Sequence, residues 1–204
     1  MASSLTAVKT TLQLLALTAC PTSLLTKGPA TTLGGALGGK VHVKFGRLAS
    51  GSMAAPVFKI QSFVNNDWID IAQWTTSNHG LGAAVQTLTS GAAAGATGVQ
   101  LSAALASGMS APWFVFNAGT TANSEWNGPG GPASTAQVLA DSLINNHTAN
   151  VAMVTTNAEK AVVGLNFEDV SIIRFVYDPL FNAVAAKAAV QVDLLLNDNI
   201  ISNP

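Results

Sequence analysis

Charge is what this chain has least of: Asp, Glu, Lys and Arg make up 9% of its 204 residues, where soluble domains carry about 25%. Nine basic residues against ten acidic ones leave a net charge of -1, which removes the electrostatic basis for binding nucleic acid. Cysteine occurs once, as Cys20, so neither an intrachain disulfide framework nor a cysteine-based metal cluster is available. Long apolar runs are missing too. Although 49% of the residues are hydrophobic, no stretch is apolar for long enough to span a membrane, and no membrane partner is expected.

The motifs of chemistry are equally scarce. The chain contains no HExxH pattern, no Walker loop and no dinucleotide fingerprint after a strand. Ser50-Gly51-Ser52 lacks the spacing of a nucleophile elbow. His42, His79 and His147 are not paired at metal-ligand spacing, and read as solvated or singly hydrogen-bonded side chains. Asp67 and Asp70 have opposite strand parity, and Glu168-Asp169 reads as a turn before a strand, so neither pair suits glycoside hydrolysis. The expectation is a protein that is not an enzyme, with no catalytic residue, no metal site and no cofactor.

What is present is alternation. In the run Lys40–Leu48, Val41, Val43 and Phe45 share one face while His42 and Lys44 take the other. Pro56–Val64 and Trp68–Trp74 are further strand-like runs, and Asn65-Asn66-Asp67 between them is a hairpin signal. Near the end, Ile173, Phe175 and Tyr177 alternate with Ile172, Arg174 and Val176, and Val190, Val192, Leu194 and Leu196 stand in register. Between these blocks, from about Asn78 to Asn157, the sequence is dense in Ala, Gly, Ser and Thr. There Asn127–Pro132 reads as a loop, and Thr135–Asn145 has helical spacing through Val138, Leu139, Leu143 and Ile144.

The patterning predicts an all-β chain: an Ig-like or jelly-roll β-sandwich from residues 40–77 plus 159–204, with 78–158 inserted as a small β subdomain. A single large jelly roll is the alternative. Residues 1–39 are expected to form an extended N-terminal arm and linker, because Cys20–Gly39 is rich in Thr, Gly, Pro and Ala. Leu5, Val8, Leu12, Leu15 and Leu17 would give the arm an apolar side, as a short helix or an extended docking segment. The start also has a faint signal-peptide character, and Leu17-Thr18-Ala19-Cys20 matches the short pattern of bacterial lipoproteins. The apolar stretch is short, is broken by Gln13 and follows one basic residue, Lys9, so an uncleaved protein made inside the cell is expected.

The four tryptophans, Trp68, Trp74, Trp113 and Trp126, pose a choice between a sugar-stacking platform and buried anchors. Their large apolar area favours core or interface contacts. Leu5, Val8, Leu12, Leu15, Trp113 and Trp126 are the candidate interface residues.

Several stretches resemble bacteriophage virion structural proteins. Residues 40–47 (KVHVKFGR), 58–61 (FKIQ) and 68–76 (WIDIAQWTT) look like the strands ending in Gly-Arg and the following Trp-to-Thr-Thr strand of such proteins. Residues 113–117 (WFVFN) and 122–126 (ANSEW) are similar to a turn in their inserted barrel, with a Gly-Pro-rich loop in place of the family's next strand. The resemblance implies a non-enzymatic capsid decoration or cement protein on the virion surface, made in the host cytoplasm. Its partners would be the major capsid protein and copies of itself as a homo-oligomer. An adaptor, tail or head-fibre component is the next reading, and a carbohydrate-binding adhesin or lipid-anchored surface protein a further one.

Overall fold

The computed structural model describes residues 6–21, 24–47, 55–75, 84–104, 112–117, 123–157, 159–180 and 187–200. Every regular element among them is a strand, so the chain is all-β. In order these are β1 (Thr6–Pro21), β2 (Thr26–Lys27), β3 (Thr31–Thr32), β4 (Gly38–Arg47), β5 (Val57–Val64) and β6 (Asp67–Thr75). There follow β7 (Ala84–Thr87), β8 (Gly98–Gln100), β9 (Pro112–Phe116), β10 (Glu125–Asn127), β11 (Ala136–Val138) and β12 (Ala152–Asn157). The last three are β13 (Glu159–Asn166), β14 (Ile172–Asp178) and β15 (Lys187–Ile200).

Two antiparallel sheets face each other as a sandwich. Sheet I has the order β1-β15-β4-β13, and sheet II runs β2-β14-β5-β6 with β3 also on β14. The alternation seen in the sequence sets which side chains meet. Val41, Val43, Phe45, Val190, Val192, Leu194 and Leu196 from sheet I pack on Phe58, Ile60, Ile173, Phe175 and Tyr177 from sheet II. Phe58 is the hub of this core, with ring centroids of Phe45, Phe175, Tyr177 and Trp74 at 5.6, 5.7, 5.9 and 5.9 Å. Burying one such ring contributes about 2–3 kcal/mol.

The hairpin between β5 and β6 is closed by Asn65 and Asn66, both at positive φ (51° and 63°), with Val64 paired to Asp67. Two consecutive left-handed residues form the turn whose twist matches the strands it joins, and Asn tolerates that conformation at small cost.

The N-terminal segment departs from expectation. Residues 6–21 are not a free arm: β1 pairs antiparallel with β15 along its length, from Thr6 opposite Ile200 to Pro21 opposite Lys187. Two register shifts, between Gln13 and Leu15 and between Leu15 and Thr18, break the strand's alternation. They let the neighbours Leu14 and Leu15 both enter the sandwich core while Leu17 joins a separate cluster with Val115, Val154 and Ala189. That irregular spacing is why the run mimics one side of a helix or an arm. Gly28 follows because a Cβ there would lie 2.1 Å from the Leu14 carbonyl oxygen; only glycine lets the backbones approach so closely.

Strands β7 to β12 build their own layers between β6 and β13. Sheet III has the order β10-β9-β12-β7, and β8 pairs with β11 as a ribbon. Leu88, Val99, Leu101, Phe114, Phe116, Leu139, Leu143 and Met153 form its core. The helix expected at Thr135–Asn145 is absent: Leu139 N bonds Thr97 O and Leu143 N bonds Ala96 O, both at 2.9 Å. Backbone donors that reach another segment cannot close a helical turn. The Leu139/Leu143 spacing reflects two inward dips of a looped chain, while Val138 and Ile144 are exposed.

Candidate functional site

Three places gather the chain's few polar groups. The first is the outer face of sheet II. Arg174 Nε donates to Gln61 Oε1 (2.8 Å), and Gln61 Nε2 donates to Asp70 Oδ1 (2.7 Å). Lys59 Nζ lies 3.4 Å from Asp70 and 3.6 Å from Asp178. The Arg174 guanidinium stacks 4.0 Å from the Trp68 ring, whose centroid is 5.1 Å from that of Phe63. The network follows from strand parity, since Lys59, Gln61 and Arg174 point away from Phe58, Ile60 and Phe175. Beside it, the hairpin end exposes Phe63, Val64, Ile69 and Ile71. Ile71 is the extra residue of a bulge, because Ile60 pairs with Ala72 while Gln61 pairs with Asp70.

The second lies where sheet I meets sheet III. Gly46 of β4 allows the contact: a Cβ there would be 2.7 Å from Thr156 and 2.9 Å from Trp126. Leu17, Val115, Val154 and Ala189 fill the seam, with Trp126 packed against them. Lys44 Nζ sits 3.6 Å from the Trp113 ring centroid and 4.7 Å from that of Trp126, and Lys160 Nζ sits 4.2 Å from Trp113. Burial, reinforced by Lys160, pushes the Lys44 amine down to about 7, and Asp141 works against that shift. A recess of about 300 Å³ opens beside the two amines, lined by His42, Val43, Lys44, Lys160, Ala161, Val162, Gln191 and Asp193. Burial raises the Asp193 carboxyl from its ordinary value, against a hydrogen bond from Gln191 and the nearby His42.

The third is inside the sheet III unit. Glu125 accepts from Ile144 N (2.7 Å), Asn145 N (3.3 Å) and His147 Nε2 (2.5 Å). His147 is buried and stacks on Phe116 at 5.1 Å, with Nδ1 unpartnered. Next to it, Asn127 accepts from Gly128 N and Asp141 N and donates to Asp141 O. These groups fasten the looped chain 141–147 to β10. Of the two alternatives expected for His147, solvated or singly hydrogen-bonded, the structure has the second: the ring is buried, with Nε2 on Glu125 and Nδ1 unpartnered. Nothing in the sequence marked Glu125 as its partner, because the two are 22 residues apart across a loop without periodicity.

The expected interface residues are dispersed. Leu5 lies outside the described residues. Val8 is on β1 opposite Asp198. Leu12 packs against the sandwich core and Leu15 is buried in it, so these two hold the fold together and do not form a free docking stripe. Trp113 and Trp126 serve the seam between the two units. Of the other tryptophans, Trp74 packs on the core and Trp68 carries Arg174. His79 falls outside the described residues. Cys20 is fully buried opposite Ala188, and burial pushes its thiol up to about 12. Among the described residues no group of three His, Cys, Asp or Glu side chains could hold a metal ion, and no helix is long and apolar enough to cross a membrane.

Comparison with family models, with curated proteins and with solved structures returned no match.

Proposed function

We propose that this chain is a non-enzymatic structural component of a phage particle, a cement or decoration protein that stabilises the shell through apolar contacts between capsomers. The observation that carries the reading is the hairpin end of sheet II. Phe63, Val64, Ile69 and Ile71 are 37%, 40%, 51% and 38% exposed there, with Phe63 on the outer face of the two paired strands and Val64 and Ile69 on the other, in a chain that is 9% charged. A hairpin end that presents apolar side chains on both faces is a candidate contact site, because exposed apolar clusters mark interaction surfaces. A contact of that kind persists when salt changes, whereas surface ion pairs are screened. The resemblance of the β4, β5 and β6 sequences to virion proteins points the same way.

The attachment differs from the one the sequence suggested. With β1 built into sheet I, the contact surface is the hairpin of sheet II rather than an N-terminal arm. The lipid-anchored alternative is weakened by the same pairing, because cleavage before Cys20 would remove most of β1, the partner of β15. The adhesin alternative is weakened because Arg174 already occupies one face of Trp68.

The test is the copy number of this chain in purified particles from its source, measured by quantitative mass spectrometry against the most abundant shell protein. A ratio of one or a simple fraction of it is expected. A handful of copies per particle would move the protein to a tail or portal position, and its absence from particles would overturn the virion reading. The variant Ile69→Asp/Ile71→Asp should fold normally and lose attachment; undiminished attachment would remove the hairpin from the contact.

A further inference from the structure

Two of the nine basic residues of this chain stand directly opposite each other, Lys44 on β4 and Lys160 on β13. Like charges at a cross-strand pair repel. These two also share one indole, with both amines within 4.2 Å of the Trp113 centroid. Among the described residues neither amine has a carboxylate within ion-pair distance. A chain so poor in charge has therefore placed two basic side chains together, Lys44 half-buried and Lys160 exposed, without a counter-charge in contact among the described residues.

The rest of the recess differs from its lysine end. Two residues along β4, His42 stands opposite Asp193 of β15, and Gln191, opposite Lys44 on that same strand, donates to Asp193 Oδ2 at 3.1 Å. The recess thus offers two ammonium groups at one end, and a carboxyl, an amide and an imidazole at the other. Its volume of about 300 Å³ is at the small end of ligand pockets. We propose that this recess binds a sugar acid, its carboxylate held between Lys44 and Lys160 and its hydroxyls meeting His42, Gln191 and Asp193. Asp193 on one wall and Asp141 near Lys44 favour a singly charged carboxylate over a doubly charged phosphate. The inference does not rest on the shell reading, since the site lies on sheet I and involves none of the hairpin residues.

Trp113 and Trp126 report on the site. Titrating the full chain with glucuronate, acetate and glucose at matched ionic strength, followed by tryptophan fluorescence and melting temperature, tests the assignment. Glucuronate should bind at least tenfold more tightly than either of the others. Its affinity should weaken from pH 6 to pH 8.5 as Lys44, whose amine is lowered to about 7, loses its proton, the other charged or titratable groups around it being Lys160, Asp141, His42 and Asp193. Lys160→Glu should abolish the response, and Lys160→Met should weaken it at least tenfold without lowering the melting temperature of the free protein. Acetate binding as tightly as glucuronate would overturn the sugar, and no response beyond that to sodium chloride would overturn the site. A free Lys160→Met protein that melts several degrees lower would make the lysine pair a structural brace and overturn the proposal as well.

Discussion

The sandwich and the sheet III unit solve the same problem by different means. Apart from the two-residue β2 and β3, the sandwich strands run seven to sixteen residues and satisfy their backbones through ladders, so their side chains can be apolar inside and the core is held by rings and branched chains. In the sheet III unit the strands run three to six residues, and much backbone lies in loops whose donors need other partners. Carbonyls of other loop segments supply many of them, and the side chains of Glu125, Asn127 and Asn146 supply others. Of the buried polar residues Ser62, Gln86, Glu125, Asn127, Gln137, His147 and Thr156, all but Ser62 belong to residues 84–157. One unit is specified by a repeating pattern and the other by individual hydrogen bonds, and the two should fail differently.

The largest effects test that contrast directly. Glu125→Ala leaves the buried His147 and two partly buried backbone donors without their acceptor, a loss of about 3–5 kcal/mol by analogy with broken buried pairs. Hydrogen exchange should show protection lost across residues 123–157 and retained in β4, β14 and β15. Phe58→Ala, at the hub of the sandwich, should cost a similar amount, about 3–5 kcal/mol, but lower protection throughout both sandwich sheets. If Glu125→Ala depresses the sandwich as much as Phe58→Ala does, the two units are a single cooperative block and the contrast fails.

The same contrast governs what was legible. Alternation placed Val41, Val43 and Phe45 on one face and His42 and Lys44 on the other, and it put Arg174 opposite to Phe175 and Tyr177; the β class and the Asn65-Asn66 hairpin could be read in the same way. It failed at β1, where bulges disguise a strand, and at Leu139 and Leu143, where looped backbone imitates a helical period. The polar clusters were illegible for a physical reason. Glu125 meets His147, and Lys44 meets Trp113, Trp126 and Lys160, through contacts that depend on how the sheets pack. A one-dimensional pattern carries no record of that. The only sequence signals were scarcity itself and the Lys44 position on the outward face of its strand.

An intermediate effect is expected at the seam. Gly46→Val would force side-chain atoms into Thr156 and Trp126, and overpacking of this kind costs about 1–3 kcal/mol. Because the clash lies between the units, both should keep their own cores while sheet III moves away from β4. The Trp113 and Trp126 fluorescence should then become more solvent-exposed in character. Unchanged fluorescence with a normal melting temperature would mean that the seam yields without cost, and the two units would be less interdependent than their packing suggests.

The smallest effect comes from titration, and its sign separates the seam from the sandwich core. Lys44 has a folded-state pKa lowered to about 7, below the roughly 10.4 of an unfolded lysine. Between those values the unfolded chain binds more protons, so stability rises with pH. Cys20 works in the opposite direction: its folded value of about 12 exceeds the unfolded value of about 8.5. Above about pH 8.5 the unfolded thiol ionises while the folded one does not, and stability falls. From pH 7 to 8.5 Lys44 acts without opposition from Cys20, and its solvent-accessible side and the indole faces, which favour the ammonium form, keep the gain small. Denaturant midpoints should therefore climb slightly over that range in the native chain and stay flat in Lys44→Met. In Cys20→Ala the climb should continue past pH 9. A midpoint that falls from pH 7 to 8.5 would mean that the indoles outweigh burial at the seam, holding Lys44 charged more firmly in the folded protein than in the unfolded one.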